Sequence, residues 1–376
     1  MNRQNGDAPL IATNDDAFQS KVSAMQAGYF EDFALSRMAE KYSGLRTGFG
    51  GFRRPPIINR GTYARMLLKE TLVEAFLRHS REAGKVAQII SLGAGFDTHP
   101  FELSDNAKML PQFHYVELDF PQVVKDKITL MDSTFSGKDS VFTACTCQKE
   151  QSSASGIIHR KEHPTAENTA DTSKDQSPQL REEASLYSMK GVDLRDIEEL
   201  SSVVDGLDVH PEAPTLILAE IVLVYMQPQD SDKLISFFSN RFTGSRAFMT
   251  IEHTLQESEF GRQMVQNIAS RGSPLLGLNC YPSIRSQEAR FKKLGWHHVR
   301  AQSLLEAFEK RIQNRLALNK IEMLDELEEW RLIMTHYCVV CATSGAGGVR
   351  LLNALDLTRY QDVPFRSYKN QDKNRE

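Results

Sequence analysis

Four positions along the chain combine a reactive residue type with a strand end. The first is Ser91-Leu92-Gly93-Ala94-Gly95-Phe96-Asp97, which closes the Ile-rich run Val86–Leu92. Glycines there let a ligand approach the backbone, and the N-terminus of a following helix can face an anion. The third glycine of a dinucleotide fingerprint would fall at position 98, which is Thr98, so a nicotinamide cofactor is disfavoured. Gly93 and Gly95 therefore read as a cradle for another ligand, or as a tight strand-to-helix turn and nothing more. The second position is Asp119, 24 residues past Gly95 and just after the strand candidate Phe113–Leu118. An acidic residue at that distance can accept hydrogen bonds from ribose hydroxyls. Glu117, two residues earlier on the same face, is its rival. The third is Asp193-Leu194, after the short strand candidate Met189–Val192. Asp193 is placed either to accept from an adenine amino group or to cap the helix that follows. The fourth is Glu220, inside the apolar run Leu216–Val222. A carboxylate there is costly unless paired, and the carboxyl ends of strands form ligand crevices.

Together these residues favour an adenosyl ligand on a methyltransferase-type sheet. Strand and helix candidates alternate from Val86 to Thr343, which implies a mostly parallel sheet with helices on both faces. The last two strands, Trp296–Ala301 and His336–Thr343, lack the alternation and fit an antiparallel edge hairpin. A helix over residues 59–83 precedes the first strand, with Tyr63, Met66, Leu67, Leu72, Phe76 and Leu77 at spacings near three and four. Its opening, Asn59 to Arg65, carries two arginines, either a carboxylate fork or a solvated helix start. Residues 1–13 read as a loose N-terminus, and residues 14–83 as a helical region with Asn14, Asp15 or Asp16 as its first cap. The alternating sheet domain spans residues 84–345. It is interrupted at 132–184 by an insertion rich in Ser, Thr, Lys, Gln and Glu, read as disordered. Residues 346–376 read as a loose tail.

Composition narrows the function classes. The 376 residues are 40% hydrophobic and 25% charged, ordinary for a globular chain. The formal charge of −4 gives no footprint for bulk nucleic-acid binding. No apolar run has the length of a membrane span, and the acidic first twenty residues do not read as a signal peptide. Five cysteines are too few for a disulfide framework. The expectation is a monomer with reduced thiols in the cytoplasm, and also in the nucleus. Cys145-Thr-Cys147 has no matching ligand pair to complete a metal site. Cys338 and Cys341 lie three apart on a strand, so they point to opposite faces and read as buried thiols.

Beyond these readings, a set of motifs resembles the leucine carboxyl methyltransferase family. It comprises Asn14-Asp15-Asp16-Ala17 with Lys21, Ile58-Asn59-Arg60-Gly61 through Arg65, Leu92 to Thr98, and Glu117 to Pro121. Asp193 to Asp196, Leu218-Ala219-Glu220, Val222 to Met226 and His336-Tyr337-Cys338 complete it. The resemblance implies a Rossmann-like, S-adenosylmethionine-dependent fold of seven strands, mostly parallel with an antiparallel last strand, under an N-terminal helical lid. It implies cofactor contacts at Lys21, Arg65, Gly93, Asp119, Asp193, Leu194 and Glu220, to which the glycine turn adds Gly95. It makes Arg65 and Tyr225 the residues nearest the chemistry. The implied reaction is methylation of the C-terminal leucine of the type 2A protein phosphatase catalytic subunit, which regulates assembly of that phosphatase. A related branch acts on a modified guanosine in transfer RNA and carries an added repeat domain, for which this chain has no room. Small-molecule carboxyl or hydroxyl methylation, or a non-catalytic protein that keeps cofactor affinity, are the rival classes.

Overall fold

Three helices precede the first strand. The computed structural model describes residues 7–45, 51–82, 84–105, 112–135, 142–148, 153–158, 185–255, 258–311 and 315–356. Helices α1 (Ala8–Ala27), α2 (Phe33–Leu45) and α3 (Pro56–Glu82) lead into β1 (Ala87–Leu92), α4 (His99–Asp105), β2 (Phe113–Asp119) and α5 (Pro121–Thr134). Strands β3 (Phe142–Gln148), β4 (Ser153–Ile158) and β5 (Ser185–Gly191) come next, then α6 (Ile197–Asp205), β6 (Thr215–Glu220), α7 (Pro228–Arg241) and β7 (Arg246–His253). The chain continues through α8 (Glu259–Ser270), α9 (Ile284–Lys293), β8 (His298–Ser303), α10 (Leu304–Arg311), α11 (Arg315–Ile321), α12 (Leu327–Thr335), β9 (Tyr337–Ser344) and α13 (Gly348–Ala354).

The sheet order is β3-β4-β5-β2-β1-β6-β7-β9-β8. From β5 to β7 every pairing is parallel, and β9 is antiparallel to both of its neighbours. The expected seven-stranded sheet with a reversed last strand is the part from β5 to β8. β1 and β2 are buried along their whole length, as parallel strands covered on both faces must be. Their side chains alternate between two cores. Ala87 and Ile89 pack with α1, α2 and α3 on one side, and Ile90 and Leu92 pack with α6 and α7 on the other. The two late cysteines divide the same way, Cys341 into the first core and Cys338 into the second. Burial pushes both thiols up to about 12, which fits inert core residues. No helix among the described residues is long and apolar enough to cross a membrane.

Four expectations need correction. The loose N-terminus is helical from Ala8, because Asp7 stands at the helix start and Pro9 sits in the first turn, where its missing N–H costs nothing. Asn14, Asp15 and Asp16 are therefore mid-helix and cap nothing. The insertion is not wholly unstructured: α5 runs through Thr134, and β3 and β4 extend the sheet beside β5 as an antiparallel pair. An added edge hairpin is held by backbone hydrogen bonds and needs little apolar patterning, so composition hid it. Residues 136–141, 149–152 and 159–184 of the insertion, and the side chains of Cys145 and Cys147, lie outside the described residues. The tail is not loose throughout either. α13 buries Leu351, with Leu355 buried just beyond it, while residues 357–376 lie outside the described residues. Helices α11 and α12 were not anticipated.

Candidate active site

Strand order puts the carboxyl ends of β5, β2, β1 and β6 side by side, and the predicted acidic residues all stand there. A cavity of about 280 Å³ opens at that edge. Its walls include Gly93, Gly95, Asp119, Asp193, Leu194 and Glu220 from the sheet edge, Lys21 from α1, Arg65 from α3, and Tyr225. Every residue expected at the site thus lines one cavity.

The turn after β1 needs its glycines. Gly93 and Gly95 adopt φ of 61° and 54°, in the left-handed region that side chains disfavour. A Cβ on Gly93 would come within 2.7 Å of Val222 Cγ2, and one on Gly95 within 2.5 Å of Asn14 Oδ1. Asn14 is there because its Oδ1 accepts from the Phe96 amide at 2.9 Å, which fastens α1 over the turn.

Of the two carboxylates on β2, Asp119 faces the cavity and Glu117 does not. Glu117 accepts from Lys127 Nζ at 2.5 Å and from the Tyr187 hydroxyl at 2.7 Å beneath the sheet edge. Asp119 accepts one amide on each oxygen, Gly95 N and Phe120 N, both at 2.7 Å. Burial raises its pKa and the two amides oppose that rise. A carboxylate has about four lone-pair sites, so acceptor capacity remains for ligand hydroxyls. The capping alternative for Asp193 is excluded, since Asp196 caps α6 by accepting the Glu199 amide at 3.0 Å. Asp193 instead accepts from Arg195 Nε at 2.8 Å, and the same guanidinium reaches Asp7 of the lid at 2.6 and 2.9 Å.

On the β6 side, charges alternate in a chain. Lys21 lies 3.0 Å from Asp97, Asp97 2.8 Å from Lys69, Lys69 3.5 Å from Glu220, and Glu220 3.2 Å from Arg65. Lys21 also donates to Thr98 Oγ1 at 2.8 Å, and Thr98 donates to Asp32. Burial alone would discharge both lysines, but Asp97 with Asp32 for Lys21, and Asp97 with Glu220 for Lys69, outweighs it and raises both pKa values. Burial likewise opposes the charge on Asp97, yet Lys21 and Lys69 hold it well below the usual carboxylate range. Glu220 is thus both an ion-pair member and a cavity wall. Sequence reasoning missed Lys69 and the role of Asp97. Lys69 stands four residues after Arg65 and so shares its helix face, which was the available signal.

Tyr225 ends a one-turn 3-10 helix, Leu223–Tyr225, directly after β6. Burial pushes its phenol up to about 12, with Tyr337 and Glu252 adding to the rise, so it is a neutral hydrogen-bonding group near pH 7. At the next strand end, His253 is buried against Tyr337, with ring centroids 4.5 Å apart. Burial, then Arg65 and His336, lowers the His253 pKa to about 3. No group of three or more His, Cys, Asp or Glu that could hold a metal ion occurs among the described residues.

S-adenosylmethionine fits these residues. It presents ribose hydroxyls, an adenine amino group, and a methionine end carrying both an ammonium and a carboxylate. Asp119 has spare acceptor sites, Asp193 stands beside apolar Leu194, and the charged chain offers both signs.

Comparison with known proteins agrees with this geometry. A family model described as leucine carboxyl methyltransferase matches residues 10–239. Leucine carboxyl methyltransferase 1 of Caenorhabditis elegans is 33% identical over 91% of this chain and 93% of its own length. A leucine carboxyl methyltransferase 1 homolog of Arabidopsis thaliana is 31% identical, over 91% of each chain. The human tRNA wybutosine-synthesizing protein 4 is 30% identical over 89% of this chain but only 44% of its own length. With the family model spanning more than half of the chain and full-length relatives above 30% identity, this protein belongs to the leucine carboxyl methyltransferase family.

Proposed function

We propose that this protein transfers a methyl group from S-adenosylmethionine to the C-terminal leucine α-carboxylate of the type 2A protein phosphatase catalytic subunit. The observation that carries the reading is the meeting of Arg65 and Tyr225 with the strand-end carboxylates Asp119, Asp193 and Glu220 in one cavity. Family membership supports the acceptor.

When bound, S-adenosylmethionine supplies an electrophilic methyl on a positively charged sulfur. The residues here have a simple task, because a terminal carboxylate has a pKa of about 3.5 and is already ionised at neutral pH. It needs no general base, and the neutral Tyr225 phenol is suited to placing an oxygen, not to taking a proton. Arg65 spends part of its guanidinium on Glu220 and keeps other N–H groups for a carboxylate. One hydrogen bond from Tyr225 would orient the attacking oxygen, whereas two strong ones would blunt it. Alignment and exclusion of water are then the main contributions. α1 supplies the exclusion by covering the cavity with Leu10, Ile11, Ala17 and Phe18.

The test compares methyl transfer to the intact phosphatase catalytic subunit, to the subunit lacking its last residue, and to transfer RNA carrying the unmethylated guanosine precursor. Transfer confined to the intact subunit is expected. Equal labelling of the truncated subunit would sink the terminal-carboxylate assignment, and preferred labelling of the RNA would move the protein to the other branch.

A further inference from the structure

The chain leaves β6 at Glu220 and turns at once into the 3-10 helix Leu223–Tyr225. Ile221 has φ of 56°, the one positive value outside glycine among the described residues. A β-branched residue in that region is strained and persists only where its surroundings hold it. The one-turn helix that follows has no side-chain cap from Val222. Its leading amides would be orphans.

They are taken by a carboxylate from the next strand. Glu252, fully buried near the end of β7, accepts from the Leu223 amide through Oε1 at 3.0 Å and from the Val224 amide through Oε2 at 3.1 Å. Thr250 Oγ1 donates to Oε1 at 2.9 Å and fixes the carboxylate in turn. On the opposite side of the turn, Gly277 N donates to Val224 O at 2.8 Å. Burial raises the Glu252 pKa to about 7, and the bonds from Thr250, Leu223 and Val224 pull against that rise. Such a group is a poor device for stability, since an apolar side chain would fill the space without desolvating a carboxylate. It is a good device for geometry, because two amides gripped by two oxygens of one rigid plane leave the turn little freedom. Glu252 does not line the cavity, and Tyr225 at the end of the gripped turn does.

We propose that Glu252 is a positioning residue for methyl transfer: by gripping the Leu223 and Val224 amides it sets where the Tyr225 hydroxyl stands, without touching cofactor or acceptor. The proposal rests on the reading of Tyr225 as the residue that orients the acceptor carboxylate.

A double-mutant cycle tests it, with the wild type, Tyr225→Phe, Glu252→Gln and the double variant assayed for transfer to the intact phosphatase subunit. Melting curves would confirm that each is folded. Glu252→Gln is expected to lower kcat/KM roughly tenfold, the scale of one weakened charge-assisted bond. In the Tyr225→Phe background the same change should cost less than about twofold, because coupled residues are not additive. A purely structural glutamate would lose the same factor in both backgrounds, and that result would overturn the proposal while leaving Tyr225 in place. Full activity in Tyr225→Phe alone would instead remove the reading of Tyr225 and this proposal with it. Should Glu252→Gln fail to fold, Thr250→Val loosens the carboxylate without removing it. The same cycle then applies, with an expected loss of about threefold.

Discussion

On the β2 and β5 side of the cavity, acidic side chains are held by the backbone and by one arginine. On the β6 side, charged side chains are held by one another. Asp119 is fixed by the Gly95 and Phe120 amides and keeps acceptor capacity, and Asp193 is fixed by Arg195. Lys21, Asp97, Lys69, Glu220 and Arg65 form an alternating chain in which each charge leans on the next. The first arrangement suits neutral hydroxyl and amino groups, which need acceptors of fixed direction. The second suits a zwitterion, which needs both signs close together without leaving either bare in the absence of ligand. The difference implies that damage on the β6 side spreads into fold stability, while damage on the β2 side stays in binding.

The largest expected effect follows from Asp97, which touches both lysines. Asp97→Asn should lower unfolding free energy by about 3 kcal/mol, as breaking a mostly buried ion pair leaves cations uncompensated. The pH dependence has a definite sign. The folded carboxyl lies below its unfolded pKa, so its contribution is complete above about pH 4 and is lost as pH falls through the folded value. Chemical denaturation at pH 7 and pH 3 checks both points: the gap between wild type and variant should shrink in acid. A gap that stayed constant would mean Asp97 is not the keystone of the chain.

Asp119→Ala comes next. Cofactor affinity measured by calorimetry should weaken by about 1.5–3 kcal/mol, the range for a charged hydrogen bond. An unchanged affinity in a folded variant would return the ribose contact to another group. The smallest effect belongs to Asp7→Ala, which frees one partner of Arg195 at the lid. The pair is partly exposed, and its loss should cost less than about 1 kcal/mol in affinity, shrinking further in high salt. A larger, salt-independent loss would show that the lid start bears directly on the ligand.

How much of this was legible in the sequence depended on the kind of contact. Gly93, Asp119 and Glu220 could be found because β1, β2 and β6 are buried apolar runs at whose ends a glycine or a carboxylate is conspicuous, and Asp193 because it closes a short strand candidate. Strand position alone left Glu117 as a rival to Asp119, since both share a face, and packing settles it because Lys127 and Tyr187 claim Glu117. The roles of Asp97 and Glu252 were hidden because Lys21 and Lys69, and Leu223 and Val224, lie far from them along the chain, and Lys69 offered only the helix face it shares with Arg65. The β3–β4 hairpin was missed because its strands pair by backbone at the sheet's edge. The start of α1 was missed because Asp7 and Pro9 look like any polar terminus until Arg195 and the cavity are in place.

The chemistry itself can be read from the product. A methyl placed on a carboxylate oxygen is an ester, which mild base cleaves to methanol, whereas a methyl on nitrogen or carbon survives. The phosphatase catalytic subunit, labelled by this protein with methyl-labelled S-adenosylmethionine, should release its label as volatile methanol after brief treatment at high pH. Label that stays with the protein through that treatment would contradict carboxyl methylation.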